Sequence, residues 1–371
     1  PRIWRTKSKR SKVREMKNEN NPHRNKSGGY KTAILLTSLM FFQVLASSSL
    51  IVSASTTPPS SQGDWTINAD EVAYLNSTDQ ALVQGDVHIY GELHIDGGSL
   101  FLWGSSDGQR ELRVFPGGIL NVTNGGTIGS YTSIYYDFAV DDLAHISVTD
   151  SRIEKATSIQ SSSLNMTLSN VHFEDTRLNI IDNSEDGEFD PIQNTIGANW
   201  LFDDLRFLNS TMTPVLNLNS ASGTLSNWTA TFSDVNISVL STANYAHTIE
   251  VGGNWYANLI FDGLEVTDDT RQSSPIANAA NSRLFMHDNL VAHLEIKNSL
   301  FYDSPEHKAI YSAGDLILNN VTIEDVFHPD QAGDWYEYAQ NNCCYASDTI
   351  TRIVQANGEI TADQLNIENS G

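Results

Sequence analysis

The sequence predicts an all-β protein wound as a parallel solenoid, and two observations carry this prediction. First, one segment recurs: apolar and polar residues alternate, an Asn, Asp or Gly interrupts, and a second alternation follows, as in residues 314–326 (GDLILNNVTIEDV). Alternation with a period of two, built from Val, Ile, Leu and Phe, is typical of β-strands. Second, the copies recur at periods of roughly 20 to 50 residues, which is typical of stacked repeats that bury their apolar faces against one another.

Eight copies of this segment align on one apolar residue, which we call the anchor position. The anchors are Ile153, Phe173, Phe207, Ile237, Val266, Phe301, Ile323 and Ile367. Successive anchors lie 20, 34, 30, 29, 35, 22 and 44 residues apart. Because the strand segments keep their length while the spacing varies, we expect loops of variable length between coils.

The residue three positions before each anchor is predicted to form a corner between two strands. These residues are Asp150, Asn170, Asp204, Asp234, Gly263, Asn298, Asn320 and Gln364. Seven of the eight are Asn, Asp or Gly, which tolerate a left-handed backbone or close a turn with their own side chain. In the first coils the doublets Gly97-Gly98 and Gly117-Gly118 are expected to bend the chain in the same way.

This pattern resembles the right-handed parallel β-helix of the pectate-lyase-like superfamily, in the divergent form common in secreted surface proteins. The resemblance covers roughly residues 83–371 and specifies a fold far better than an activity. Residues 64–82 are expected to close the first end of the stack, so that the solenoid occupies residues 64–371. Since no closing segment follows Ile367, we expect the sequence to be part of a longer protein.

The N-terminal region is predicted to be an export segment. Residues 1–31 are basic, residues 32–55 are uncharged and largely apolar, and residues 56–63 form a Pro/Ser linker. The apolar stretch has the length of a signal peptide or of a single membrane-anchoring helix, and both alternatives remain open. Positive charge before the stretch and acidic sequence after it place the solenoid outside the cytoplasm, in an extracellular or cell-surface location.

Charge and cysteine content narrow the possible partners. Residues 1–60 hold 11 Lys and Arg and two acidic residues. The rest of the chain holds 11 Lys and Arg and 43 Asp and Glu, which gives it a formal net charge of −32. An acidic exterior of this size argues against nucleic acid as a partner and suits cations. The only cysteines, Cys343 and Cys344, are adjacent, which excludes a disulfide framework and leaves free thiols or a local vicinal disulfide.

One acidic segment has the spacing of a calcium-binding loop. Oxygen-bearing residues occupy alternate positions from residue 182 to residue 190, and a glycine occupies the sixth position. The predicted ligands are Asp182, Ser184, Asp186, Glu188 through its carbonyl, and Asp190. The segment resembles the DxDxDG loops of EF-hand-like proteins but has Gln193 at the twelfth position, where those loops carry a bidentate Glu. The alternative is a solvated acidic loop between coils.

Enzymatic cleavage of an acidic polysaccharide is the competing function. Many β-helices act on polysaccharides through carboxylates on one sheet, and acid pairs occur here at Asp141-Asp142, Asp203-Asp204 and Asp268-Asp269. The chain departs from the polygalacturonase-like pattern, however: it has no Gly-His-Gly, and residues 351–354 (TRIV) lack the lysine of Arg-Ile-Lys. An enzyme should gather outward carboxylates and a cation on neighbouring coils, whereas a rod should scatter them.

The sequence therefore predicts an exported cell-surface β-helix with a structural, adhesive or ligand-binding role. Calcium is the predicted stabilising ion, and no catalytic residue is assigned. Polysaccharide and other cell-surface components are the expected partners, together with the membrane if the export segment is not cleaved. Residues 327–349 form an aromatic-rich insert that either packs on its own coil or binds sugar rings. Acceptor triplets for N-glycosylation occur at Asn76, Asn121, Asn165, Asn209, Asn227, Asn236 and Asn320.

Overall fold

The computed structural model describes most of the chain after residue 56. The described residues are 57–59, 62–181, 199–211, 213–219, 229–239, 247–252, 258–268, 283–288, 293–304, 307–326 and 353–370. The chain divides into two compact units, Pro1–Val52 and Ser53–Gly371, and every described residue belongs to the second. Within these ranges the regular structure is entirely β, as the sequence predicts.

The described part contains 26 strands. They are β1 (Trp65–Ile67), β2 (Val72–Asn76), β3 (Gln80–Val83), β4 (Val87–Ile89), β5 (Glu92–Asp96), β6 (Ser99–Leu102), β7 (Glu111–Val114), β8 (Ile119–Thr123), β9 (Thr127–Ser130), β10 (Tyr136–Val140), β11 (His145–Glu154), β12 (Ala156–Ser161), β13 (Asn165–Glu174), β14 (Leu178–Ile181), β15 (Asn199–Ser210), β16 (Leu216–Asn219), β17 (Thr229–Val239), β18 (Ile249–Val251), β19 (Asn258–Asp262), β20 (Glu265–Asp268), β21 (Arg283–His287), β22 (Leu294–Ser304), β23 (Lys308–Ser312), β24 (Leu316–Val326), β25 (Val354–Ala356) and β26 (Ile360–Glu368).

The strands form two parallel sheets whose order is that of a parallel β-helix. One sheet of 11 strands runs β1-β4-β7-β10-β12-β14-β16-β18-β21-β23-β25. The other has 15 strands, and its main path runs β2-β5-β8-β11-β13-β15-β17-β19-β22-β24-β26. Each coil contributes one strand to the 11-stranded sheet, which we call the third face, and then returns to the 15-stranded sheet one level further along.

The 15-stranded sheet bends at the predicted corner, which divides it into a first face before the corner and a second face after it. All seven non-glycine corner residues have positive φ, between 47° and 57°, and Gly263 has a φ of 80°. The burial pattern shifts phase there: along β11, Ile146 and Val148 point inward before Asp150, and Ser151 and Ile153 point inward after it. The prediction of a left-handed corner in every copy is therefore confirmed, including at Gln364.

A second corner follows the first by five residues in six of the copies, and the sequence pattern did not reveal it. Its residues have φ between 45° and 57° and are Lys155, Asp175, Asn209, Asp303, Asp325 and Asn369. Four residues separate the two corners, and their side chains point alternately into and out of the core. The second face is therefore short. This corner turns the chain toward the third face and completes the coil.

The eight anchors form one continuous ladder through the stack. Ile153 pairs with Phe173, Phe173 with Phe207, and the pairing continues through every anchor to Ile367. The earlier coils extend the ladder through Ile128 and Leu100. All the anchors except Ile367 are buried in a single apolar core, so the predicted equivalence of these positions is confirmed.

The ends of the described solenoid differ in burial. Residues 64–82 form β1, β2 and most of β3, and Trp65 and Ile67 at this end are buried. On β26, by contrast, Ile360 and Ile367 are exposed. The predicted N-terminal helix is not supported, since residues 32–55 lie outside the described residues. Within the described ranges no helix has the length and apolarity needed to cross a membrane.

Candidate functional site

Four outward-facing cations in the described part of the solenoid lie beside carboxylates, and they are distributed over all three faces. Arg113 on the third face donates from Nε to Asp141 (3.2 and 3.1 Å to its two oxygens), and Lys297 on the first face lies 3.2 Å from Asp262. The second face carries the densest group, in which Arg152 contacts both Glu154 and Glu174. On the same face Arg206 donates to Asp204 at 3.0 Å. These partners reduce the field that each cation projects into solvent.

The described residues of the three acid pairs singled out in the sequence lie in different places. Asp141 follows the third-face strand β10 and is paired with Arg113. Asp204 is a left-handed corner residue, as predicted, and its carboxylate binds Arg206. Asp268 ends β20 and is fully buried, while its neighbour Asp269 lies outside the described residues. The pairs thus occupy three different environments.

The predicted calcium ligands Asp182, Ser184, Asp186, Glu188 and Asp190 also lie outside the described residues, as does the aromatic insert 327–349. Within the described ranges, no group of three or more His, Cys, Asp and Glu side chains could hold a metal ion. His88 and His94 are partly exposed on the early strands β4 and β5, and His94 stacks on Tyr74 with ring centroids 5.0 Å apart.

The most unusual site lies in the interior, at the junction of the second and third faces. It contains His247, Asp268, Arg283, His307 and Lys308, and we call it the basic corner. Four of these side chains are almost inaccessible: Asp268 is 0% exposed, Lys308 1%, His307 4% and Arg283 7%. Ionisable groups are rarely buried to this extent unless they are paired or serve a function.

Three successive coils build the basic corner. Arg283 begins β21 and Lys308 begins β23, and the two residues are register partners in adjacent parallel strands. His247 immediately precedes Thr248 and β18, one coil earlier, and Asp268 ends the second-face strand β20. The parallel register therefore brings together residues that lie up to 61 positions apart in the chain.

Hydrogen bonds hold Asp268 and His247 in place. The Thr248 hydroxyl donates to Asp268 Oδ2 at 2.7 Å, and the backbone N–H of Asp268 donates to Ser304 Oγ at 2.9 Å. His307 Nε2 lies 3.6 Å from the same Asp268 Oδ2. The backbone N–H of Arg283 donates to His247 Nδ1 at 3.2 Å. Because this bond requires Nδ1 to be an acceptor, the neutral His247 ring carries its proton on Nε2.

Burial shifts the pKa values of the basic groups downward. The pKa of His247 falls to about 4, mainly through desolvation and further through the charges of Arg283 and His307. Desolvation also lowers the pKa of Lys308 to about 8, with repulsion from Arg283 as the second cause, and the pKa of Arg283 to about 10. Arg283 and Lys308 are register partners in adjacent strands, so their positive charges lie close enough to repel each other.

A further buried histidine lies at the far end of β21. His287 is fully buried, and its Nδ1 lies 2.8 Å from Ser312 Oγ. Burial lowers the pKa of His287 to about 4. Among the described residues, no atom forms a hydrogen bond with its Nε2. His287 thus shares the strand of Arg283 but faces a different set of neighbours.

Sequence reasoning missed the basic corner. The available signal was a basic residue at the first position of each of two third-face strands, RLFMH and KAIYS. The two residues lie 25 positions apart, a spacing set by the intervening loops and the first- and second-face strands. Without knowledge of the strand register, the sequence indicates only two isolated surface cations at these positions.

Comparison with known proteins gave no match among family models, curated protein sequences or solved structures. The assignment of a parallel β-helix therefore rests on the backbone geometry and strand register described above.

Proposed function

We propose that this chain is an exported, surface-associated β-helix with a structural or adhesive role, a stiff acidic rod that displays loops. In this proposal the winding is right-handed and the fold belongs to the pectate-lyase-like superfamily. The observation that carries the proposal is the unbroken anchor ladder, which runs through the stack in register from Leu100 to Ile367. A continuous ladder is what a scaffold needs in order to transmit force along its axis.

Stiffness follows from how each coil is held. Every interior coil is hydrogen-bonded in parallel to the coil before it and the coil after it on more than one face. Eleven levels at about 4.8 Å per strand give the solenoid a length of about 50 Å. Bending such a stack would open hydrogen bonds and apolar contacts on one side at several levels together, which opposes flexing.

The exterior supports a role in contact with cations and the extracellular medium. The chain after residue 60 has a formal net charge of −32. Four outward-facing cations lie beside carboxylates on different faces: Arg113, Arg152, Arg206 and Lys297. This scattered arrangement is the one expected of a rod. Expected partners are polysaccharides or other cell-surface components, and export through residues 32–55 is part of the proposal.

Calcium binding by residues 182–190 remains a prediction, and titration calorimetry tests it. We expect the full chain to bind one calcium ion, and the Asp186→Ala variant to bind it at least tenfold more weakly, because one carboxylate ligand is lost. The matched control is Asp315→Ala, which removes a carboxylate beside His293 in another loop and should retain the affinity. Equal affinities in all three proteins would remove calcium from the proposal.

A polysaccharide lyase or glycoside hydrolase is the alternative, and the basic corner is the observation that favours it. Buried ionisable groups with shifted pKa values are typical of catalytic sites. Lys308, whose pKa burial lowers to about 8, would be the residue to examine in that case, together with its buried neighbours Asp268 and His307. The alternative otherwise rests on fold analogy, since one fold supports many functions.

An activity and binding assay separates the two functions. The purified chain is incubated with polygalacturonate and with neutral polysaccharides, and both new reducing ends and unsaturated uronate products are measured. We expect no product over a long incubation, together with retention of the protein on insoluble polysaccharide or on intact cell surfaces. Product formation that the Lys308→Met exchange abolishes would replace the scaffold role with the enzymatic one.

A further inference from the structure

We propose that one edge of the solenoid, at the turn from the second to the third face, binds a sulfated polysaccharide. The residues of this edge, which we call the cationic edge, are Trp103, Arg110, Tyr131, Tyr135, Lys155 and Arg177. The inference rests on the proposed adhesive role and deepens it, because it names the surface and the kind of polysaccharide that the rod would hold.

Four consecutive coils bring these residues onto one edge. Their third-face strands pair in the order β7, β10, β12 and β14. The residue immediately before the strand is Arg110 for β7, Tyr135 for β10, Lys155 for β12 and Arg177 for β14. Trp103 and Tyr131 directly follow the paired second-face strands β6 and β9. At about 4.8 Å per coil, the edge is about 14 Å long from Arg110 to Arg177.

The edge gathers exterior cations that have no carboxylate partner. Arg110, Lys155 and Arg177 are partly exposed, and none of them forms an ion pair within the described ranges. Each donates instead to a backbone carbonyl: Arg110 to Trp103 at 3.2 Å, Lys155 to Thr132 at 3.4 Å and Arg177 to Thr157 at 3.0 Å. Their remaining N–H groups can therefore serve a ligand. The other exterior cations described above lie beside carboxylates, so this edge is where an anionic group meets unpaired positive charge.

Arg177 is held in a partly dehydrated position. Burial lowers the pKa of its guanidinium from the ordinary value. An anion bound beside the guanidinium would favour the charged form and offset the lost hydration. Lys155 lies on the preceding coil, so one anionic group between the two side chains can contact both.

Exposed aromatic rings lie beside these cations. Trp103 is 38% exposed and Tyr131 is 60% exposed. The Trp103 carbonyl accepts the bond from Arg110, and Lys155 donates to the carbonyl of Thr132, the residue after Tyr131. Each exposed ring thus has an unpaired cation close to it along the chain. Flat aromatic rings offer an apolar surface on which the C–H face of a sugar ring can pack.

The carboxylates of this edge are already engaged by donors of the chain. Asp107 accepts the backbone N–H of Tyr135 at 2.8 Å. Asp175 accepts the Tyr135 hydroxyl, and it also accepts the backbone N–H and the hydroxyl of Thr211 at 3.1 and 2.6 Å. Asp137 lies beyond the edge on the third-face strand β10. These carboxylates hold the edge in shape, and their remaining lone pairs can accept hydrogen bonds from sugar hydroxyls.

A sulfated sugar chain suits this combination of groups. The acidic exterior repels a dense polyanion such as nucleic acid, whereas isolated anionic groups on a sugar chain meet only the cations of the edge. A sulfate ester projects further from the ring than a carboxylate that is bonded directly to it. The ring can therefore lie on Trp103 or Tyr131 while the sulfate reaches Lys155 and Arg177. Its three terminal oxygens accept charge-assisted hydrogen bonds from more than one donor.

Isothermal titration of the full chain with three kinds of short oligosaccharide tests the proposal. Fragments of κ-carrageenan carry sulfate, fragments of alginate carry uronate without sulfate, and fragments of agarose are neutral. A chelator is present throughout, so that calcium does not bridge the protein and the sugar. We expect the carrageenan fragments to bind most tightly and the agarose fragments to bind at least about tenfold more weakly, because they make no charge-assisted bond.

The exchange of Lys155 and Arg177 together for Gln removes both cations, and the exchange of Lys297 and Arg206 together for Gln is the matched control. The control also removes one lysine and one arginine from the exterior, but these two are paired with Asp262 and Asp204. We expect the first double variant to bind carrageenan fragments at least about tenfold more weakly, and the control to retain the affinity. Circular dichroism verifies that both variants are folded.

Trp103→Ala keeps the proposal testable if the first double variant fails to fold, because it removes an exposed ring and leaves the cations in place. We expect it to weaken binding about fivefold. Tighter binding of alginate than of carrageenan, equal binding of agarose, or unchanged affinity in the first double variant overturns the proposal.

Failure of this inference and failure of the adhesive role give different results. If the chain is retained on cell surfaces but does not bind carrageenan fragments, the cationic edge is not the binding surface. If the chain binds these fragments through the edge but is not retained on cell surfaces, the inference stands and the adhesive role fails.

Discussion

At the residue scale, the corner positions explain why Asn and Asp recur in this chain. A left-handed backbone is unfavourable for most L-residues, and Asn and Asp tolerate it because their short side chains bond locally. Here the side chains also bond to the neighbouring coil: Asn170 Nδ2 donates to Asp150 Oδ1 at 2.7 Å, and Asn320 Nδ2 donates to Asn298 Oδ1 at 2.9 Å. The corner residues therefore both turn the chain and link successive coils.

Exchanges at Asn170 separate these two contributions. Asn170→Gly removes the side-chain bond to Asp150 but accepts the φ of 51°, whereas Asn170→Ala removes the bond and also strains the backbone. We expect Asn170→Ala to lower the free energy of unfolding by about 1 kcal/mol more than Asn170→Gly. Denaturant unfolding measures the difference. Equal losses in the two variants would show that the side-chain bond alone matters.

Also at the residue scale, the buried His287 predicts a loss of stability in acid. Its pKa is about 4 in the folded chain and about 6.5 when unfolded, so the unfolded state binds the proton more readily between these values. The free energy of unfolding therefore falls as the pH drops through this window, by about 2 to 3 kcal/mol between pH 7 and pH 4.5 for this one group.

The His287→Gln variant tests this effect, because glutamine can still bond to Ser312 but does not titrate. We expect its free energy of unfolding to fall less between pH 7 and pH 4.5 than that of the unchanged chain, by the amount given above. His88→Gln, an exchange beside Phe115 on the exterior, is the control and should follow the unchanged chain. Identical pH profiles for His287→Gln and the unchanged chain would contradict the prediction.

At the scale of the element, stacked aromatic rings hold the middle coils together. Phe202, Phe232 and Phe261 occupy one rung position on β15, β17 and β19. Their ring centroids lie 4.5 and 4.8 Å apart, and the planes differ by only 7° in each pair. Because a parallel stack places identical positions above one another, a flat side chain in one coil favours a flat side chain in the next.

Phe232→Ala should be strongly destabilising, because it leaves a cavity between the rings of Phe202 and Phe261. The strands hold these two rings in place, so the rings cannot move together to fill the cavity. We expect a loss of about 3 to 5 kcal/mol in the free energy of unfolding. Leu201→Ala is the matched control on β15, because Leu201 points outward and is half exposed, and it should change stability by less than about 0.5 kcal/mol. Comparable losses in both variants would argue against the stacked ring as the source of stability.

At the scale of the whole solenoid, each coil contacts chiefly its two neighbours, so a complete coil is a removable unit. His145–Leu164 is such a unit: His145 pairs with Ile119 on one side and with Asn165 on the other. Deleting it joins Ala144 to Asn165 and lets β13 take the place of β11. Met166, Leu168 and Phe173 then fill the inward positions of Ile146, Val148 and Ile153.

We expect the protein lacking residues 145–164 to fold cooperatively, with a circular dichroism spectrum of the same shape and a lower thermal midpoint. Deleting residues 145–154 instead removes two faces of one coil and leaves the third, which displaces every later strand from its register. This shorter deletion should prevent folding. If the shorter deletion proved the more stable of the two, the coil would not be the unit of assembly.

The sequence by itself determined the strand type, the anchor ladder and the first corner, because these depend on local properties. The alternation of apolar and polar residues around Ile153 or Phe301 predicts which side chains face the core. Asn or Asp at the corner indicates where the backbone can adopt a positive φ. The second corner escaped prediction although five of its six residues are Asn or Asp, because other polar residues surround it in the sequence and the sixth residue, Lys155, is not a type that favours positive φ.

Only the tertiary structure decided which residues meet across coils. Loops of different length separate the strands, so the distance along the chain between His247, Arg283 and Lys308 carries no information about their distance in space. The parallel register overrides that spacing and stacks them at one corner, where burial then shifts their pKa values. Local chemistry thus determines the coil, whereas the loops and the register, which are properties of the whole stack, determine the site.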